Sequence, residues 1–164
     1  MRVLVLSDTH VPDFARALPS ERLQPHLAWA DMILHAGDAT SADVLTELSA
    51  HAPVVAVVGN MDRWDVAAWG AQDEAQVELE GVKIAMVHDA GRREGRARRL
   101  AERFPTADVI VFGHSHQPVN EEMDGVRFLN PGSPTWKRRS PQRTLIRLTL
   151  DAGRVESCEL VPLA

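Results

Sequence analysis

The chain has 164 residues, 45% hydrophobic and 25% charged, an ordinary globular balance and enough length for one domain, residues 1–164, with a real core. A net charge of −5 disfavours nonspecific attraction to nucleic acid, and 5% aromatics without tyrosine disfavour a base-stacking surface. The single cysteine, Cys158, closes no intrachain disulfide, which fits a reducing compartment.

The first apolar run, "RVLVL" (2–6), is a short buried strand that stops at Ser7-Asp8. It is far too short for a signal-peptide core or a membrane span, so a cytoplasmic location without membrane contact is expected. The next segment, to Ala30, has a helical pattern that Pro12, Pro19 and Pro25 are expected to break into short pieces. "DMILHAGD" (31–38) is a second strand, "SADVLTELSAH" (41–51) a helix capped by Ser41, and "PVVAVVGN" (53–60) a third strand. This alternation predicts parallel pairing with right-handed crossovers.

"AQVELEGVKIAMVH" (75–88) predicts a hairpin turning at Glu80-Gly81, and "RREGRARRLAERF" (92–104) a helix with Ala97, Leu100, Ala101 and Phe104 on one face. Strands follow at 108–113, 118–123 and 126–130. "TLIRLTL" (144–150) and "RVESCELV" (154–161) pair around Ala152-Gly153. The class is α/β, with about ten strands in two sheets.

Five apolar runs end in residues that bind metals: Asp8 and His10, Asp38, Asn60, His88, and His114 with His116. In α/β sheets ligands gather beyond the carboxyl ends of the strands, so these groups are expected to meet on one crest. Extended backbone points residues i and i+2 the same way, so Asp8 with His10, and His114 with His116, are each expected to share a site. Two carboxylates, an amide and four imidazoles are too many for one tetrahedral ion. They suit two divalent ions about 3.5–4 Å apart, with Asp38 as the bridge. Nitrogen and oxygen donors without thiolate favour manganese, the first expectation, or iron, zinc, cobalt or nickel. His35 reads as buried, and His26 and His51 as solvent-facing.

The ordered blocks Asp8-x-His10, Gly37-Asp38, Gly59-Asn60-x-Asp62, His88 and Gly113-His114-x-His116 resemble the calcineurin-like metallophosphoesterase family. "NPGSP" (130–134) is similar to a segment of its small prokaryotic phosphodiesterase branch. The resemblance implies two packed mixed β-sheets flanked by helices, a four-layer αββα sandwich. It implies one ion on Asp8, His10, Asp38 and His116, and another on Asp38, Asn60, His88 and His114. A hydroxide bridging the ions would attack phosphorus in line with the leaving oxygen. The catalytic candidates are then Asp38, Asn60, His114 and Asp62, the last with its role open.

Where many relatives have a histidine able to protonate the leaving group, this chain has Met61, as small phosphodiesterase relatives also lack it. "VHDAG" stands where the family often has Thr-His-Gly-His. Arg92, from the cluster Arg92 to Arg99, and Asn130 are the candidate substrate contacts; Trp64 and Trp69 read as core or subunit contacts. The expected activity is phosphodiester hydrolysis of a small molecule. Nucleic acid is expected only as a nucleotide substrate, and a homo-oligomer is left open. The alternatives are a phosphomonoesterase, or an interaction scaffold resembling the retromer subunit of this fold.

Overall fold

The computed structural model describes residues 1–163. Its elements in chain order are β1 (Arg2–Leu6), α1 (Ser20–Trp29), β2 (Met32–His35), α2 (Ala42–Ser49), β3 (Val54–Ala56), α3 (Trp64–Trp69) and β4 (Glu74–Leu79). There follow β5 (Val82–Val87), α4 (Arg96–Arg103), β6 (Val109–Val111), β7 (Val119–Met123), β8 (Val126–Asn130), β9 (Arg143–Asp151) and β10 (Arg154–Leu163). One sheet has the order β10-β9-β1-β2-β3, the other β4-β5-β6-β8-β7. In the first, β1, β2 and β3 run parallel and β9 with β10 closes the edge antiparallel. In the second, β5, β6 and β8 are parallel, with β4 and β7 added as hairpin partners.

Alternation along the strands builds the layers. Val3 and Val5 of β1 face the second sheet, meeting Ile84, Met86, Val109, Val111 and Leu129. Leu4 and Leu6, on the other face, pack under α1 and α2 with Leu23, Leu27, Leu45 and Leu48. A third core joins Leu100 of α4 and Phe104, which follows its last residue, to Ile110, Phe112 and Phe128 on the outer face of the second sheet. The result is the expected αββα sandwich. Strands buried on both faces are apolar at successive positions, as parallel strands require. Each fully buried Leu or Val is worth about 1.5–3 kcal/mol over exposure.

Several local expectations change. Pro25 lies inside α1 instead of ending it, on the exposed face of the helix. Ser41 caps α2 as expected, its side chain accepting from the N–H of Asp43. Gly95 is left-handed, with φ 66°, so α4 starts only at Arg96, and Arg92 and Arg93 sit in the preceding loop. His35 is buried; His51 is exposed in the turn after α2, and His26 is partly covered on α1. Trp69 packs on the first core, whereas Trp64 is 83% exposed and belongs to no core. Among the described residues no helix is long and apolar enough to cross a membrane.

Candidate metal centre

The parallel strands of both sheets end at the same crest. β1 stops at Leu6, and beyond it Asp8 (φ 55°) and His10 (φ 47°) adopt the left-handed conformation. Their backbone N–H groups donate to the carbonyls of Gly37 and Asp38, at 2.9 and 3.0 Å, so the exits of β1 and β2 zip together. Asp38, His114 and His116 are left-handed too, at 56°, 67° and 57°. Such backbone costs of order 1–3 kcal/mol per residue and persists only where its surroundings hold it. The extended i, i+2 geometry expected from the sequence is therefore replaced by curled loops. Asp8 and His10 still share a group, but the turn between His114 and His116 sends them to different ones.

Ligand-type atoms of Asp8, His10 and His116 lie within 4.8 Å of one another, and those of Asp38, His88 and His114 do the same. The Oδ2 of Asp38 joins the two groups, 3.2 Å from His88 Nε2 and 3.6 Å from His10 Nε2. Asn60 Oδ1 completes the second, 2.9 Å from His114 Nδ1 and 3.1 Å from His88 Nε2. Each carboxylate has one anchored and one free oxygen. Asp8 Oδ2 accepts from Ser7 Oγ (2.6 Å) and the His114 N–H (3.0 Å), while Oδ1 is buried without a hydrogen-bond partner. Asp38 Oδ1 accepts from the Met61 N–H at 2.8 Å, which leaves Oδ2 to face both groups.

Neighbouring carbonyls set the tautomers. His88 Nδ1 donates to the Ala36 carbonyl (2.7 Å) and His116 Nδ1 to that of Trp136 (2.5 Å), which turns both Nε2 atoms into the cluster. His10 Nε2 and His116 Nε2 are 3.1 Å apart, with Asp8 Oδ1 3.3 Å from the latter. Lone pairs and carboxylate oxygens converging in a buried space are what divalent cations satisfy, and the donor set fits them. Burial opposes the charge on His88, but the Asp38 carboxylate outweighs it and pushes the metal-free pKa up to about 9. Burial likewise opposes ionisation of Asp8, yet His10 and His116 hold its pKa well below the usual carboxylate range.

A cavity of about 250 Å³ opens over the cluster, lined by His10, Phe14, Asp38, Asn60, Met61, His114, His116, Trp136 and Arg138. The sequence reading missed Phe14 and Trp136, which belong to loops without periodicity. It also missed Ser133 and Thr135, whose hydroxyls donate to the carbonyls of Asp8 (2.7 Å) and Thr9 (2.6 Å) and hold that strand exit. The two hydroxyl residues Ser133 and Thr135 within "NPGSPTW" were the one available signal.

Asp62, kept open as a catalytic candidate, instead binds backbone: its carboxylate accepts from the N–H groups of Gly59 (2.7 Å), Thr40 (2.6 Å) and Asp38 (3.1 Å). Asn130 is fully buried and is no surface contact for substrate; with Gly132 it shapes the loop beside the site, as its place in "NPGSP" also suggests, tying Gly132 to the carbonyl of Gly113. Arg92 is exposed and is not among the residues lining the cavity; Arg138 is. Within the arginine cluster, Arg99 caps the carbonyls of Ala90, Arg92 and Glu94, and Arg98 pairs with Glu102.

An αββα sandwich with such a cluster on its crest is the architecture of a metallophosphoesterase. Residues 1–153 match the calcineurin-like phosphoesterase superfamily domain, and the chain belongs to that family. It is 36% identical to a probable metallophosphoesterase from Methanothermobacter thermautotrophicus, over 96% of this chain and 90% of that one. A phosphodiesterase from Methanocaldococcus jannaschii is 28% identical, covering 80% and 83%. The structure of Vps29 from Entamoeba histolytica complexed with zinc superposes with a TM-score of 0.78 at 25% identity, covering 99% of both chains.

Proposed function

We propose that this protein is a phosphodiesterase dependent on two divalent cations, manganese first among them. Asp8, His10, Asp38 and His116 would hold one, and Asp38, Asn60, His88 and His114 the other. Bound there, the cations would lower the pKa of water toward neutrality and offset charge developing on the phosphoryl oxygens. The observation that carries the reading is Asp38 Oδ2, placed between His10 Nε2 and His88 Nε2 so that one atom serves both groups.

The chain's own residues do the rest. The carbonyls of Ala36 and Trp136 keep two imidazoles in the donor tautomer, and Asp62 braces the loops that present Asp38 and Asn60. The Arg138 guanidinium lines the cavity and can meet a phosphate oxygen in the bidentate way guanidinium favours. Met61 lines the same wall and has no proton to give, so esters with good leaving groups suit the site. The small phosphodiesterase branch that the sequence resembles lacks this donor as well, which supports a diesterase over a phosphomonoesterase. The complete set of seven donors supports an enzyme over an interaction scaffold, despite the Vps29 likeness.

Stripping the protein with chelator and restoring manganese, then comparing bis-p-nitrophenyl phosphate with p-nitrophenyl phosphate, tests this. Metal-dependent turnover favouring the diester is expected. A preference for the monoester, or turnover indifferent to chelation, would rule the reading out.

A further inference from the structure

The cavity wall above the cluster is aromatic in a chain with few aromatics. Phe14 and Trp136, from loops about 120 residues apart in sequence, stack with ring centroids 3.9 Å apart and planes 18° from parallel. Trp136 is tied to the cluster twice: its carbonyl accepts from His116 Nδ1, and its ring meets His10 and His116 edge to face at 5.4 and 5.2 Å. Phe14 touches His10 edge to face at 5.4 Å. Its loop is held by the N–H of Phe14 donating to the His10 carbonyl (2.9 Å) and by the ion pair of Asp13 with Arg63 (2.7 Å).

A ring held in this way would be buried if its task were only to cover His10, and an aliphatic side chain would cover it as well. Phe14 nonetheless keeps 49% of its surface exposed at the cavity mouth. With Trp136 against one face, the stack can grow only from the other. The Arg138 guanidinium lies 5.4 Å from the Trp136 ring centre and lines the same cavity, and no carboxylate pairs with it among the described residues. The donor cluster, the free guanidinium and the exposed ring of Phe14 thus border one cavity.

We infer that the phosphoester taken here carries a nucleobase, which stacks on the open face of Phe14 while Arg138 meets its phosphate. This deepens the phosphodiesterase reading and rests on it for the position of the phosphate. The low aromatic content of the chain argues against a long stacking surface, and one ring pair suits a single base. Base–aromatic stacking supports roughly a tenfold gain in affinity.

The test is calorimetric binding of AMP and of ribose 5-phosphate to the manganese-loaded protein, two ligands that share phosphate and ribose and differ by the base. AMP is expected to bind about tenfold more tightly or better. Phe14→Ala should bring the two ligands to within about threefold of each other, Phe14→Trp should restore the preference, and Arg138→Ala should weaken both ligands alike. Equal binding of the two by the wild type, or a preference that survives Phe14→Ala, overturns the inference. Because the readout needs no turnover, a base preference without diester hydrolysis would sink the enzyme reading alone, and hydrolysis without the preference would sink only the nucleobase seat.

Discussion

The carboxylate of Asp62 accepts a hydrogen bond from the backbone N–H of Asp38 at 3.1 Å, and so fixes the left-handed residue whose Oδ2 joins the two donor groups. The same carboxylate accepts from Gly59 and Thr40, which binds the exits of β2 and β3 into one unit. Burial pushes the Asp62 pKa up, and the three amides pull against it. Asp62 acts through Asp38 and has no need to touch substrate.

Asp62→Ala should therefore weaken manganese binding about 10–100-fold, the usual effect of losing a residue that orients a ligand. Leaving backbone donors without partners should also cost about 1–3 kcal/mol of stability. Titration of manganese into the variant, with urea unfolding beside it, reads both. Unchanged metal affinity would show that Asp38 holds its position without this brace.

Gly59 illustrates why glycine precedes a donor in these blocks. A Cβ there would lie 2.1 Å from Asp38 Oδ1 and 2.4 Å from the Asp38 backbone nitrogen, neither of which can retreat. Gly113 is similarly placed, 2.0 Å from Ser7 Oγ and 2.8 Å from Asp8 Oδ2. Gly59→Ala should abolish manganese-dependent turnover by displacing Asp38, with the far-ultraviolet circular dichroism of the fold retained. Turnover near the wild-type rate would mean the crest is softer than these contacts imply.

These relations show what the sequence could and could not carry. The strand exits were legible because β-branched runs ending in Asp, Asn or His have no packing reason to do so, and the seven donors do converge. The hairpin at Glu80-Gly81 and the cap at Ser41 were legible because their chemistry is local. The separation of His114 from His116 was carried by the family resemblance and missed by the i, i+2 spacing, since it depends on left-handed angles imposed by contacts across the two sheets, such as His114 N–H to Asp8. Phe14 and Trp136 were hidden for a related reason: loop residues have no period, and only the folded crest brings positions 14 and 136 together. Arg92 had the right charge, but Gly95 delays α4 and Arg92 remains exposed in the loop before it.

His35 gives the stability a signed dependence on pH. Complete burial, ahead of any charge nearby, lowers its pKa to about 4. Since the unfolded chain takes up the proton near pH 6.5, the contribution of His35 is whole above that value and is lost as pH falls toward 4. Between pH 7 and 5 the loss should be roughly 2 kcal/mol. His88, raised to about 9, acts in the opposite sense in metal-free protein, so the quantity to read is a difference. Urea unfolding of chelated wild type and His35→Gln at both pH values should show a smaller acid loss in the variant. Parallel losses would assign the acid sensitivity to other groups.

Met61 is 42% exposed on the cavity wall, and its N–H holds Asp38 Oδ1. Met61→His keeps that backbone contact and adds a proton donor. Turnover of esters with alkyl leaving groups should rise about tenfold. That is below the ~10²–10⁴-fold of a well-oriented acid, because the Asp62 oxygens are already engaged by three amides. No rise would show that leaving-group protonation does not limit the rate.

The most direct measurement of the central claim is a manganese titration of chelated wild type and Asp38→Asn, counting ions bound per chain while following bis-p-nitrophenyl phosphate hydrolysis. Two ions per wild-type chain are expected, with turnover that appears as the second binds and is mostly lost in Asp38→Asn with the fold intact. Full turnover with one ion bound, or a wild-type rate in Asp38→Asn, would contradict a centre joined by Asp38.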